Sequence, residues 1–205
     1  MLHESLAISF TALALLACES RASRGAAGES SAVAMGEIAT DTAPAPAAAR
    51  APESKVESAM GAAPKAIASD AAIMDWPDKE GGQMKQLRAG SNGWVCLPAS
   101  PSEDPLCMDK TFQEWGTAME AKRTPEIKSV GVAYMLLGDA VGASNTDPDA
   151  KAPTADNQWV KAGPHVMVVV PEPALLASIP TDPKNGGPWV MWKGTKYAHI
   201  MVPVR

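Results

Sequence analysis

The sequence predicts one α+β domain over residues 68–205, with a mainly antiparallel or mixed β-sheet and one main helix at about 110–122. Three observations predict this class. Short apolar runs are separated by turns rich in Gly, Pro and Asn, a single segment has helical apolar spacing, and all six tryptophans lie beyond position 75. A region of roughly 140 residues is an ordinary size for one hydrophobic core.

The first predicted element of this domain is a β-hairpin. Residues 83–88 alternate between polar and apolar side chains, and residues 94–97 resume an apolar run after the Asn92-Gly93 dipeptide. Asn-Gly tolerates the positive φ of tight hairpin turns. The two segments are therefore predicted to pair with each other.

Residues 110–122 carry the helical pattern. Their apolar side chains form one stripe at positions i, i+3 and i+7, which consists of Phe112, Trp115 and Met119. Thr111 and Glu114 have the spacing of a capping box, and Asp109 is a competing N-cap.

The C-terminal half of the domain predicts further strands. These are a central strand at residues 129–137, a strand at residues 165–170 that ends at Pro171, and a hairpin of residues 189–192 and 197–202 around Lys193-Gly194-Thr195. Residues 174–178 predict a short helical turn. Residues 139–158 are polar and predict a long loop.

Residues 18–67 predict a disordered tether that precedes the domain. Positions 21–70 contain 17 Ala among 50 residues and no Trp, Tyr or Phe. Without large side chains, such a segment buries too little apolar area to offset its ordering entropy. The prolines at 44, 46, 52 and 64 also interrupt any continuous helix.

The N terminus predicts an export signal over residues 1–17. Residues 6–17 form an uncharged apolar run of 12 residues, which suits a signal peptide and is too short to span a bilayer. The run ends in Leu15-Leu16-Ala17-Cys18, which resembles the lipobox of bacterial lipoproteins. The resemblance implies cleavage after Ala17, a lipid-modified Cys18 that attaches the chain to a membrane, and a place in the cell envelope. Glu19 favours the outer membrane, with the domain facing either the periplasm or the cell surface.

The cysteine count agrees with export. The chain has three cysteines, and assigning Cys18 to lipid leaves Cys96 and Cys107 as a pair. An oxidising envelope favours a disulfide between them. A redox or metal-binding dithiol is disfavoured, because the spacing is not Cys-x-x-Cys.

Two histidines in the domain each precede a methionine by two residues, as His165-Val-Met167 and His199-Ile-Met201. In a strand, residues i and i+2 point to the same face. Each pair would therefore present an imidazole beside a thioether, a soft combination that suits Cu(I). If the two strands are neighbours, four ligands converge on a copper site. The alternative is ordinary packing, since Met fills gaps in apolar strands.

The sequence is compatible with two other classes of function, surface binding by aromatic side chains and hydrolysis. Trp189, Trp192 and Tyr197 lie close together in the C-terminal hairpin and could stack on a glycan or bind an envelope protein, or they could simply pack in the core. A hydrolase would need His165 or His199 as a base, but no recognised nucleophile motif is present.

Asn145 lies in an alternating polar loop that lacks the Gly and Glu of an EF-hand, so a solvated turn is expected there.

The net charge of −5 and the absence of a basic run disfavour nucleic acid as a partner. Taken together, the sequence predicts a tethered cell-envelope lipoprotein whose domain binds a ligand without catalysis. Copper(I) binding by the two His-x-Met pairs is the alternative, and hydrolysis is the third hypothesis.

Overall fold

The computed structural model describes residues 54–79 and 81–204. The predicted signal peptide, Cys18 and residues 19–53 of the predicted tether lie outside these residues. The strands are β1 (Ala72–Asp75), β2 (Lys85–Arg88), β3 (Val95–Leu97), β4 (Leu106–Met108), β5 (Gly131–Met135), β6 (Ala143–Ser144), β7 (Trp159–Val160), β8 (His165–Val169), β9 (Trp189–Met191) and β10 (His199–Pro203). The helices are α1 (Lys55–Gly61), α2 (Lys65–Ala68), α3 (Lys110–Glu120) and a 3₁₀ turn at Pro173–Leu176.

Eight strands form one sheet in the order β2-β1-β3-β4-β5-β8-β10-β9, and β6 pairs with β7 separately. Every pairing in the large sheet is antiparallel except β1 with β3. The predicted α+β class with a mostly antiparallel sheet is therefore confirmed. The C-terminal hairpin is confirmed as well, because β9 and β10 pair directly.

The predicted first hairpin is wrong. Strands β2 and β3 do not pair, because β1 lies between them and bonds to both. After β2 the chain passes very close to β1. Glycine is needed at position 90, because a Cβ there would lie 2.0 Å from the backbone nitrogen of Ala72. Asn92 stabilises this crossover rather than a hairpin turn, since its side chain donates to Ile67 O and accepts from Trp94 N.

The folded region begins earlier than residue 68. Ser54 caps α1 with a reciprocal capping box, in which its hydroxyl accepts from Glu57 N and the Glu57 carboxylate accepts from Ser54 N. Ala59 and Ala62 of this helix are fully buried against the sheet. Residues 54–67 were predicted to belong to the tether, and here they form part of the domain.

Helix α3 begins at the predicted place, with Asp109 as its N-cap. One carboxylate oxygen of Asp109 accepts from Phe112 N at 2.7 Å, and the other accepts from Val132 N at 2.8 Å. The side chain thus caps α3 and ties it to β5. The close approach requires glycine at 131, because a Cβ there would lie 2.8 Å from both Phe112 N and a Val169 methyl.

The two faces of the large sheet bury different clusters. On the face covered by α3, which we call the α3 face, the core contains a methionine- and tryptophan-rich set: Met108, Phe112, Trp115, Ala133, Trp189, Met191, Trp192 and Met201. On the opposite face, helices α1 and α2 cover Ile73, Cys96 and Cys107.

Across the described part of the chain, no helix has both the length and the apolar character needed to cross a bilayer.

The predicted disulfide joins Cys96 of β3 to Cys107 of β4. The two residues are direct cross-strand partners, and both are fully buried beneath α1. The bond closes a short loop, with a sequence separation of 11 residues. It therefore holds the centre of the sheet in register.

Removing this bond should destabilise the domain. We expect the Cys96→Ala/Cys107→Ala double variant to lose about 3 kcal/mol of unfolding free energy, because the unfolded chain regains its loop entropy. Urea denaturation followed by circular dichroism measures the loss. The wild-type protein after reduction is the matched control and should lose a similar amount. Equal denaturation midpoints for oxidised and reduced protein would contradict this role.

Candidate functional site

The two His-x-Met segments lie on neighbouring strands of the sheet. In the β8–β10 pair, Met167 is directly opposite Met201, and His165 is opposite Pro203. All four side chains therefore share the α3 face. Because the strands are antiparallel, a local twofold axis through the methionine pair relates His165-x-Met167 to His199-x-Met201. The methionines lie at the centre and the histidines lie toward opposite ends.

Both imidazoles are held in the same way. The Nδ1 atom of His165 lies 2.8 Å from Gly163 O, and the Nδ1 atom of His199 lies 3.0 Å from Tyr197 O. A carbonyl oxygen only accepts hydrogen bonds, so the neutral form of each ring carries its proton on Nδ1. The lone pair then lies on Nε2, which is the state in which histidine binds a metal.

Neither Nε2 atom has a hydrogen-bond partner among the residues that the structure describes. Both histidines are 1% exposed. Among the described residues, four buried side-chain nitrogen or oxygen atoms lack such a partner: His165 Nε2, His199 Nε2, Asp139 Oδ1 and Tyr197 OH. Buried polar atoms in folded proteins are nearly always paired. Unpartnered ring nitrogens at both predicted ligand positions therefore mark this face as a candidate site.

His199 lies among aromatic rings. Its ring centroid is 4.9 Å from that of Trp192 and 5.5 Å from that of Trp115, and it stands nearly perpendicular to both indoles. The two indoles are nearly parallel to each other. Burial in these surroundings lowers the pKa of His199 to about 4. The imidazole is consequently neutral at physiological pH.

Trp192 has an unusual backbone conformation. Its φ of 55° lies in the left-handed region, which is costly for a bulky residue. Two hydrogen bonds hold it there, since its backbone N–H donates to Asn145 O and its indole N–H donates to Ser144 O. Strained residues of this kind are concentrated at functional sites. Here the strained residue presents its ring to His199.

His165 has a different neighbour. Its Nε2 atom lies 4.0 Å from Asp139 Oδ1, which is too far for a hydrogen bond. The other Asp139 oxygen accepts from Ala162 N. Burial raises the pKa of Asp139, despite the opposing attraction of His165. Sequence reasoning did not single out Asp139, because it lies in a polar loop far from either His-x-Met segment.

The three aromatic residues proposed as a binding surface lie inside the protein. Trp189, Trp192 and Tyr197 are 3%, 9% and 6% exposed, respectively. Their rings pack into the core of the α3 face. A glycan or a protein at the surface would not stack on them in this arrangement.

Asn145 is also buried, although a solvated turn was expected there. Its side-chain oxygen accepts from the indole N–H of Trp189, and its amide donates to Gln158 and to Thr181 O. The loop is thereby fixed to the C-terminal hairpin. Asn145 thus helps to position the aromatic rings.

Within residues 54–79 and 81–204, no three His, Cys, Asp or Glu side chains cluster closely enough to hold a metal ion. Comparison of the chain with protein-family profiles, with curated proteins and with solved structures returned no match. The function is accordingly inferred from the geometry of the side chains themselves.

The buried hydrogen bonds of Asn145 should be important for stability. We expect Asn145→Ala to lower the free energy of unfolding by about 2–3 kcal/mol, because the buried indole N–H of Trp189 loses its acceptor. Urea denaturation followed by tryptophan fluorescence provides the measurement. Asn185→Ala, in an exposed loop, is the control and should cost less than about 1 kcal/mol. Equal losses for the two variants would show that the buried bonds contribute little.

Proposed function

We propose that this chain is an exported cell-envelope lipoprotein whose folded domain binds Cu(I) without catalysing a reaction. Lipid on Cys18 anchors it to the outer membrane, and the residues that precede the domain act as its tether. One observation carries the copper assignment. Two buried histidines with unpartnered Nε2 atoms share one sheet face with a directly paired Met167 and Met201.

The chemistry of these donors favours Cu(I). Thioether sulfur is a soft ligand that selects soft cations, and imidazole binds copper well. Zn²⁺ in proteins takes Cys, His or carboxylate ligands, and the described residues hold no cluster of three of those. Burial on the α3 face would also keep water away from the bound ion.

The disulfide supports export. Cys96 and Cys107 are bonded to each other, and such bonds persist in oxidising compartments such as the periplasm. The chain contains three cysteines, so Cys18 is the one that remains for lipid modification. A lipid-anchored domain in this compartment would meet copper ions that enter the envelope.

Lipid attachment is tested by metabolic labelling. In cells given radioactive palmitate, we expect label on the wild-type chain and none on Cys18→Ser, because the acylated sulfur is gone. The wild type should also sediment with outer membranes. The Cys96→Ala/Cys107→Ala variant is the control and should remain labelled. Label on Cys18→Ser, or wild-type protein free in the periplasm, would refute the anchor.

Copper binding is tested by anaerobic titration of the detergent-extracted full chain with Cu(I) against a chromophoric chelator. We expect one tight equivalent for the wild type. The His165→Ala/His199→Ala and Met167→Leu/Met201→Leu double variants should bind about 10- to 100-fold more weakly or not at all. Met108→Leu changes a buried methionine of the same core and serves as the control. A wild type that cannot compete with the chelator would refute the proposal.

A further inference from the structure

The two halves of the pseudo-symmetric site have different surroundings. His165 faces the carboxylate of Asp139 at 4.0 Å, whereas His199 lies among indoles. The strand register gives each histidine a methionine across the strand, Met191 of β9 for His199 and Met135 of β5 for His165. Met191 is buried at 3% exposure, whereas Met135 is only half-buried. Met191 was not among the predicted ligands.

From these contacts we infer that the Cu(I) ion is bound at the His199 end alone, by His199 Nε2 and the sulfur atoms of Met191 and Met201, beneath the indoles of Trp115 and Trp192. This inference rests on the proposed copper-binding function. It replaces a symmetric four-ligand site by a three-ligand site with one nitrogen and two sulfur donors.

The strand positions of the three residues are compatible with a single ion. Met191 is opposite His199, and side chains of direct cross-strand pairs have Cβ atoms about 4.5–5.5 Å apart. Met201 follows His199 by two residues on the same face, about 7 Å along the strand. Methionine is unbranched and flexible, so both sulfur atoms can adjust their positions toward Nε2. All three residues are at least 97% buried.

The indoles add a reason for a cation at this end. Their centroids lie 4.9 and 5.5 Å from that of the imidazole. The imidazole itself therefore lies within about 6 Å of both indoles, the range over which an aromatic face attracts a cation. The same rings shield the ion from water and oxidants.

The His165 end is less suited to Cu(I). The nearest charged partner of its Nε2 is a carboxylate oxygen, which is a hard donor. Met135, the methionine across the strand from His165, is half-buried, so a cation there would be less shielded from water than one beside the buried Met191. His165 and Met167 are therefore assigned to the packing of the sheet and to Asp139, outside the copper shell.

Single variants separate the two arrangements in the same Cu(I) titration. We expect His199→Ala and Met191→Leu to weaken binding by about 10- to 100-fold. His165→Ala and Met167→Leu should stay within about twofold of the wild type. Met→Leu swaps nearly conserve volume, so they should cost less than about 1.5 kcal/mol of stability. A urea midpoint for each variant separates ligand loss from unfolding.

X-ray absorption at the copper edge provides an independent readout on the loaded wild type. One nitrogen and two sulfur neighbours would support the inference, and two nitrogen neighbours would overturn it. Equal losses for His165→Ala and His199→Ala, or full binding by Met191→Leu, would also overturn it while leaving copper binding itself in place. Failure of the wild type to bind Cu(I) would overturn both the inference and the proposed function.

Discussion

The shared face of the two His-x-Met segments depends on the register between β8 and β10. Side chains alternate between the faces of a sheet, so a slip of one residue would move one histidine and one methionine to the opposite face. Strand β8 is held on both edges, by five register pairs with β5 and four with β10. Glycine at 131 supports this arrangement, because it lets the first turn of α3 approach β5 beside Val169. The arrangement of soft donors is thus a consequence of sheet pairing and of one small residue.

The surroundings of His199 depend on a second constraint, the attachment of the loop after β6 to the C-terminal hairpin. Ser144 and Asn145 accept three N–H groups from Trp189 and Trp192. These bonds offset the cost of about 1–3 kcal/mol that a strained backbone at Trp192 imposes. The Trp192 indole is consequently held in place before any ligand binds, so binding requires little further ordering of this side chain. Preorganisation of this kind favours affinity because the entropy loss has already occurred during folding.

Sequence reasoning succeeded where the information is local. The C-terminal hairpin follows from two apolar runs around a turn in which Gly194 adopts a φ of 85°. Helix α3 follows from its stripe and from Asp109. The first hairpin failed because β1, a short segment from upstream, occupies the place between β2 and β3. Helix α1 was missed because alanine suggested a tether. Its small side chains are what allow the helix to pack closely on the Cys96–Cys107 bond.

For the site, the i, i+2 spacing predicted which side chains share a face, and their chemistry predicted the class of ligand. It could not predict what lies across the strand or above it. The same His-x-Met motif occurs twice with the same Nδ1 hydrogen bond to residue i−2. One copy meets a carboxylate from a distant loop and a half-buried methionine from β5, and the other meets a buried methionine from β9 and indoles from α3 and the hairpin. Soft ligands beside a histidine favour soft cations, and hard ligands favour hard ones. Two identical motifs therefore acquire different chemistry from contacts that are remote in sequence.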